Sequence, residues 1–213
     1  MSETGWRGSR ELWLEAAYEG LLDSGVDSVR IMPLAKKLSL SRTSFYWFFR
    51  DREELLAALI DRWRNKNTGN LLRQCEAYAE TITEAVLNVI DCWLNQELFD
   101  AKFEFAVRSW ALQSSDVSEE IDRADEERLA GLQGLFIRFG YDELAADVRA
   151  RAVYLTQIGY ITSRTKEDLS VRMKRIPQYV FIFSGHLPDP REIRRFSARH
   201  QFSLPDQGDA DSG

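Results

Sequence analysis

Cysteine and histidine are scarce in this chain, two of each in 213 residues, and the scarcity removes several kinds of chemistry. The histidines, His186 and His200, stand near the C-terminal end and in no HxxxH or CxxC type of ligand spacing, so no metal site is expected. Cys75 and Cys92 fall in one stretch of helical periodicity. A continuous helix rising about 1.5 Å per residue would hold them about 25 Å apart, too far for a disulfide, which leaves core thiols. No apolar run approaches the roughly 18 residues of a membrane span, and the N-terminus lacks a basic segment followed by an apolar one. A soluble, cytoplasmic protein with no membrane partner is expected. The chain also lacks a phosphate-binding loop and a GxSxG elbow. Its carboxylates lie on amphipathic surfaces rather than in apolar settings that would raise their pKa, so neither an enzyme nor a cofactor is expected.

Positive charge is short overall, with a net charge of −6, but its distribution is uneven. Residues 1–66 hold eleven Lys and Arg against ten Asp and Glu, and the remaining residues carry the whole excess of acid. Within residues 30–52, Arg30, Lys36, Lys37, Arg42, Arg50 and Arg52 face only Asp51. Such a segment can dock on a polyanion.

Hydrophobic residues make up 44% of the chain, a globular share, and they recur at helical spacing almost throughout. Trp13, Ala17 and Leu21 mark a helix from about Ser9 to Ser24, stopped by Gly25. A second runs from about Ile31 to Leu38, with Pro33 in the first turn, where a missing amide costs nothing. Ser39 and Leu40 turn the chain into a third helix over Ser41–Arg50. Ser41 can cap it, and Phe45 and Phe49, four apart, share a face that can bury. The opposite face carries Arg42, Thr43, Ser44 and Tyr46 beside Trp47, with Arg50 and Arg52 just beyond. These side chains can donate to phosphates or base edges.

Helix, short turn and helix behind a supporting helix resemble the N-terminal domain of the TetR family of bacterial transcription regulators. The likeness is carried by Ala16-Ala17, Leu21-Leu22, Gly25, Leu34-Ala35, Leu38, Ser41, Phe45-Tyr46, Phe49 and Asp51 to Leu56, in register over some 48 residues. Three positions depart from the family pattern. Arg30 replaces a capping Thr or Ser, Ser39 replaces a frequent turn Gly, and Phe48 replaces a His that contacts phosphate in relatives. The resemblance implies double-stranded DNA as partner and Arg30, Arg42, Thr43, Ser44, Tyr46, Trp47, Arg50 and Arg52 as the DNA-binding set.

Beyond Asp51 the pattern predicts further helices. They run from Asp51 with a frayed end over Arg64–Asn70, and then over about Leu71–Asn95, over Phe99–Gln113, from the Ser114–Asp116 break to about Phe139, and over Asp142–Thr165 and Glu167–Phe183, the last with Pro177 inside. The charged first half of the helix ending near Phe139 reads as a solvated face. The architecture is all-α, a three-helix helix-turn-helix head plus a larger antiparallel body, about nine helices in total. The expected division is 1–52 for the head, 53–187 for a ligand-binding and dimerisation body, and 188–213 for a flexible tail with a short turn of helix near Glu192–Phe196. Arg108 to Ala111, Asp125 to Leu129, Arg149 to Ala152 and Ile158-Gly159 also look like a common type of TetR C-terminal domain. The resemblance implies a homodimer, a palindromic operator and a repressor released by a small apolar effector. Trp93, Phe103, Phe105, Trp110, Phe136 and Tyr154 are expected to supply the cavity lining, and Gly159 a helix–helix interface. A DNA-binding architectural protein or an interaction module without ligand is the alternative.

Overall fold

The computed structural model describes residues 8–202. Among the described residues every regular element is helical, and the chain divides into two compact units, Met1–Gly69 with Asp100–Glu126, and Asn70–Phe99 with Glu127–Gly213.

In the first unit α1 (Arg10–Ser24) starts where Ser9 accepts from the amide of Leu12, and it ends at Gly25, whose φ of 77° a side chain would strain. It buries Trp13, Ala16, Ala17 and Leu21. α2 (Ile31–Leu38) begins at Arg30, which offers no capping side chain. It closes at Ser39 in the left-handed region, φ 54°, where the amide of Leu40 reaches back to the carbonyl of Ala35 at 2.9 Å. A residue with a Cβ pays to sit there, so Ser39→Gly is expected to raise the unfolding free energy by about 1 kcal/mol, read in a urea titration. α3 is short. Only Arg42–Phe45 is α-helical, with Ser41 Oγ accepting from the amide of Ser44, and the chain continues to Phe49 in looser turns. Phe45 and Phe49 nevertheless stack, 5.5 Å between centroids, with Trp13 edge-on to Phe45 at 5.3 Å.

α4 (Arg52–Trp63) starts at Asp51, whose side chain accepts from the amide of Glu54. The expected frayed end does not occur. Arg64–Thr68 forms a π-helical turn that runs straight into α5 (Gly69–Glu76). The wider turn points Asn67, fully buried, at α7 (Ala101–Ala111). Its amide donates to the Asp100 carbonyl at 3.2 Å and to Glu104 Oε2 at 2.9 Å, and its oxygen accepts from the Asp100 amide at 2.9 Å. Glu104 Oε2 also takes the indole N–H of Trp63 at 2.7 Å, and Oε1 accepts from Arg108 Nε at 3.0 Å. Arg108 in turn forks onto Asp125 at 2.6 and 3.1 Å. Tyr18 of α1 donates to Asp100, and burial is the first cause that pushes its phenol above the ordinary range. Asp125 lies on α8 (Ser115–Arg138), whose first half is not only a solvated face, since Val117, Ile121 and Ala124 are buried in the head-side core.

In the second unit the long helix expected over Leu71–Asn95 is broken. α5 ends at Glu76, and α6 (Ile82–Leu94) restarts at Thr81, which accepts from the amide of Glu84. The separation inferred for Cys75 and Cys92 therefore loses its basis, and Cys75 sits near enough to bear on the ionisation of Cys92. Both are free, buried thiols; burial pushes Cys75 up to about 12 and Cys92 higher still. The second half of α8 contributes Arg128, fully buried, which donates to the Tyr154 hydroxyl at 2.8 Å.

α9 (Glu143–Thr162) starts at the Asp142 cap and α10 (Leu169–Ser184) holds Pro177. The expected flexible tail is a correction as far as it is described, because Pro190–Arg199 forms α11 with a full capping box from Asp189 and Glu192. It packs on α6. Phe196 is buried, Glu192 accepts from Thr83 Oγ1 at 2.7 Å, and Arg199 and His200 reach Asp91 at 2.9 and 2.7 Å. The rest of the expected tail, residues 203–213, lies outside the described residues. With α4 and α5 counted as one, there are ten α-helices among the described residues, against about nine expected.

Candidate functional site

The outer face of the helix-turn-helix presents Arg30, Arg42, Thr43, Tyr46, Trp47 and Arg50 to solvent, with Trp47 63% and Tyr46 45% exposed. Their backbone is held rigidly by the aromatic stack beneath, so the side chains project from a fixed platform. Arg42 folds back on Tyr46, with Nε and Nη2 donating to the hydroxyl at 3.1 and 2.8 Å. That leaves the Tyr46 hydrogen and the Arg42 Nη1 edge outward, a donor pair suited to a phosphate and a base. Arg50 is tied to Glu54, whose carboxylate accepts from both the Arg50 amide at 2.8 Å and Nε at 3.0 Å. Those bonds, the backbone one first, hold the Glu54 carboxyl below its ordinary value.

A separate cavity lies wholly in the second unit among α6, α9 and α10. It is lined by apolar Ile90, Val153, Ile176 and Phe183 and by polar Trp93, Thr156, Gln157, Tyr160, Arg172 and Tyr179. Its volume is about 40 Å³, room for about three waters, and it opens into a cleft of about 390 Å³ that includes open solvent. Arg172 Nη2 donates to Gln157 Oε1 at 3.1 Å, and the two tyrosine hydroxyls share one hydrogen bond of 2.7 Å. That bond is the first cause that raises the Tyr179 pKa, while burial lowers that of Arg172.

The family model described as "Bacterial regulatory proteins, tetR family" matches residues 14–59, the segment that builds this head. Residues 14–59 are thus a tetR-family helix-turn-helix head. Solved structures of similar fold include the fatty acid degradation regulator FadR of Bacillus halodurans, 16% identical over 87% of this chain and 98% of that one, TM-score 0.63. Salmonella enterica GusR is 13% identical over 94% and 98%, TM-score 0.61. Mycobacterium smegmatis AmtR is 14% identical over 96% and 100%, TM-score 0.59. At these identities the likeness shows the fold. No curated protein matches the sequence.

The TetR head does not bring the whole expected DNA-binding set to one face. Ser44 is 7% exposed and its hydroxyl bonds Ser41 Oγ at 3.0 Å, so it braces the turn. Arg52 donates to the carbonyls of Val29 at 2.5 Å and Val26 at 2.9 Å, so its fork is spent clamping the α1–α2 connection. Phe48, at the position of the family's His, is half-buried against the head core.

Of the residues expected to line a ligand cavity, Trp93 lines this one. Phe103 and Trp110 belong to the head-side core, Phe136 packs edge-on to Tyr141, and Tyr154 faces Arg128. Large aromatics fill cores more often than they line voids, and size alone does not separate the two uses. Sequence reasoning missed Arg172, Tyr160, Tyr179 and Gln157. The signal available was that Arg172 falls at the helical spacing of Ile176, Tyr179 and Phe183 in α10.

Proposed function

We propose that this TetR-family regulator is a homodimeric repressor that reads a palindromic operator through Arg42, Thr43, Tyr46 and Trp47 and is released when a small molecule fills the α6–α9–α10 cavity. Arg30 and Arg50 then meet the backbone beside them. Residues 1–52 act as the DNA-reading head and the rest as the ligand-binding and dimerisation body. The observation that carries the reading is the exposed donor row standing on the buried Phe45–Phe49 stack. Two such heads in a two-fold dimer would meet successive major-groove faces, and an effector that fits only the other dimer state would lower operator affinity by a population shift. α9 and α10 support the dimer. Leu144, Val148, Leu155 and Gly159 recur along one exposed side of α9, with Val171 and Ile182 exposed on α10, the pattern of a half four-helix bundle.

The test is a salt titration of duplex binding. Log affinity is expected to fall against log salt with a slope on the order of −4 to −7, as several phosphates per head are neutralised. Arg42→Ala is expected to cost about 1–3 kcal/mol on the best site and to relax specificity with little change in slope. Arg52→Ala acts differently, lowering the melting temperature of the head. A flat salt dependence returns the helix-turn-helix to a core-packing module.

A further inference from the structure

The polar part of the α6–α9–α10 cavity is unbalanced. Arg172 is half-buried there and, among the described residues, forms no ion pair; its one good bond goes to the neutral oxygen of Gln157, and a second contact, to the Trp93 carbonyl, is 3.5 Å long. The carboxylate whose charge bears on it, Glu167, is paired with Arg175. Charge removed from water without a partner is costly, and a ligand anion can supply that partner. The remaining polar groups lean the same way. The indole N–H of Trp93 is buried and has no acceptor. Tyr160 and Tyr179 share a single hydrogen bond, so one of their two hydroxyl hydrogens is left to donate. Donors therefore exceed acceptors around a space whose other walls are Ile90, Val153, Ile176 and Phe183.

We propose that the cavity takes a small monocarboxylic acid, its carboxylate on Arg172 and its apolar body against those four residues. This rests on the reading of the body as a ligand sensor. One lining cation matches one negative charge, which favours a carboxylate over a phosphate dianion, and the small volume favours a compact body.

The test uses the full chain in thermal melts and calorimetry with two shape-matched pairs, benzoate against benzamide and hexanoate against hexanamide. At least one acid is expected to raise the melting temperature and to bind on the order of ten- to a hundred-fold more tightly than its amide. Gln157→Glu gives Arg172 an internal counter-ion. That variant is expected to melt no lower than the parent and to lose the response to the acid, as is Arg172→Met. The proposal is overturned if neither acid shifts the melt, if an amide does so as well as its acid, or if Gln157→Glu folds and still responds. Operator binding is measured without any acid. Its failure sinks the regulator reading alone, whereas release by a neutral molecule upholds sensing and overturns the acid.

Discussion

Glu104→Ala is expected to lower the unfolding free energy by about 3–5 kcal/mol, a large fraction of what holds a chain of this size together. The side chain is fully buried and accepts from Trp63, Asn67 and Arg108. Its removal takes one acceptor from the Trp63 indole and one from the Asn67 amide, and takes a buried carboxylate from Arg108. Glu104→Gln keeps one acceptor oxygen for the first two and should cost less, about 1–3 kcal/mol. Urea unfolding followed by circular dichroism gives both numbers. An Ala variant within about 0.5 kcal/mol of the parent would mean that apolar packing, not this network, fixes α4, the π turn and α7.

Gly159→Leu is expected to reduce operator affinity on the order of 10²–10⁴-fold while leaving the monomer folded, because joining two heads raises the effective concentration of the second by that order. The position is exposed, and a Cβ there meets nothing within 4 Å in its own chain. The added Cβ therefore strains no neighbour, and the exposed position turns the rest of the side chain to solvent, where a partner helix crossing at that point would meet it. Light scattering and duplex binding check the claim together. A dimer that survives with full affinity would place the two-fold axis elsewhere.

Where apolar periodicity ran through the chain, the fold could be read from it. α1, α2, α9 and α10 lie where Trp13–Leu21, Leu34–Leu38, Val153–Ile161 and Met173–Phe183 predict them, within three residues at either end. It failed where polar groups hold the structure. Arg64 to Asn70 has no apolar stripe and reads as a frayed end, yet Asn67 and Thr68 are buried because hydrogen bonds to Asp100 and Glu104 replace apolar contacts. The break after Glu76 has no Gly or Pro to mark it, and only Thr81 as a cap. α11 was hidden for the same reason, since its anchor is one Phe and a set of ion pairs to α6. On the DNA face, residue type identified the donors but could not say that Ser44 and Arg52 turn inward. In the cavity the aromatics misled, because packing decides whether a Phe fills or lines.

The central claim is tested most directly by selecting bound duplexes from a random pool with the parent protein and with Arg42→Ala. The account predicts that the parent enriches an inverted repeat whose half-sites are centred about 10–10.5 base pairs, or a multiple, apart, and that Arg42→Ala loses discrimination at one symmetry-related pair of positions. An unenriched pool, an asymmetric site, or an Arg42→Ala pool identical to the parent's would contradict it.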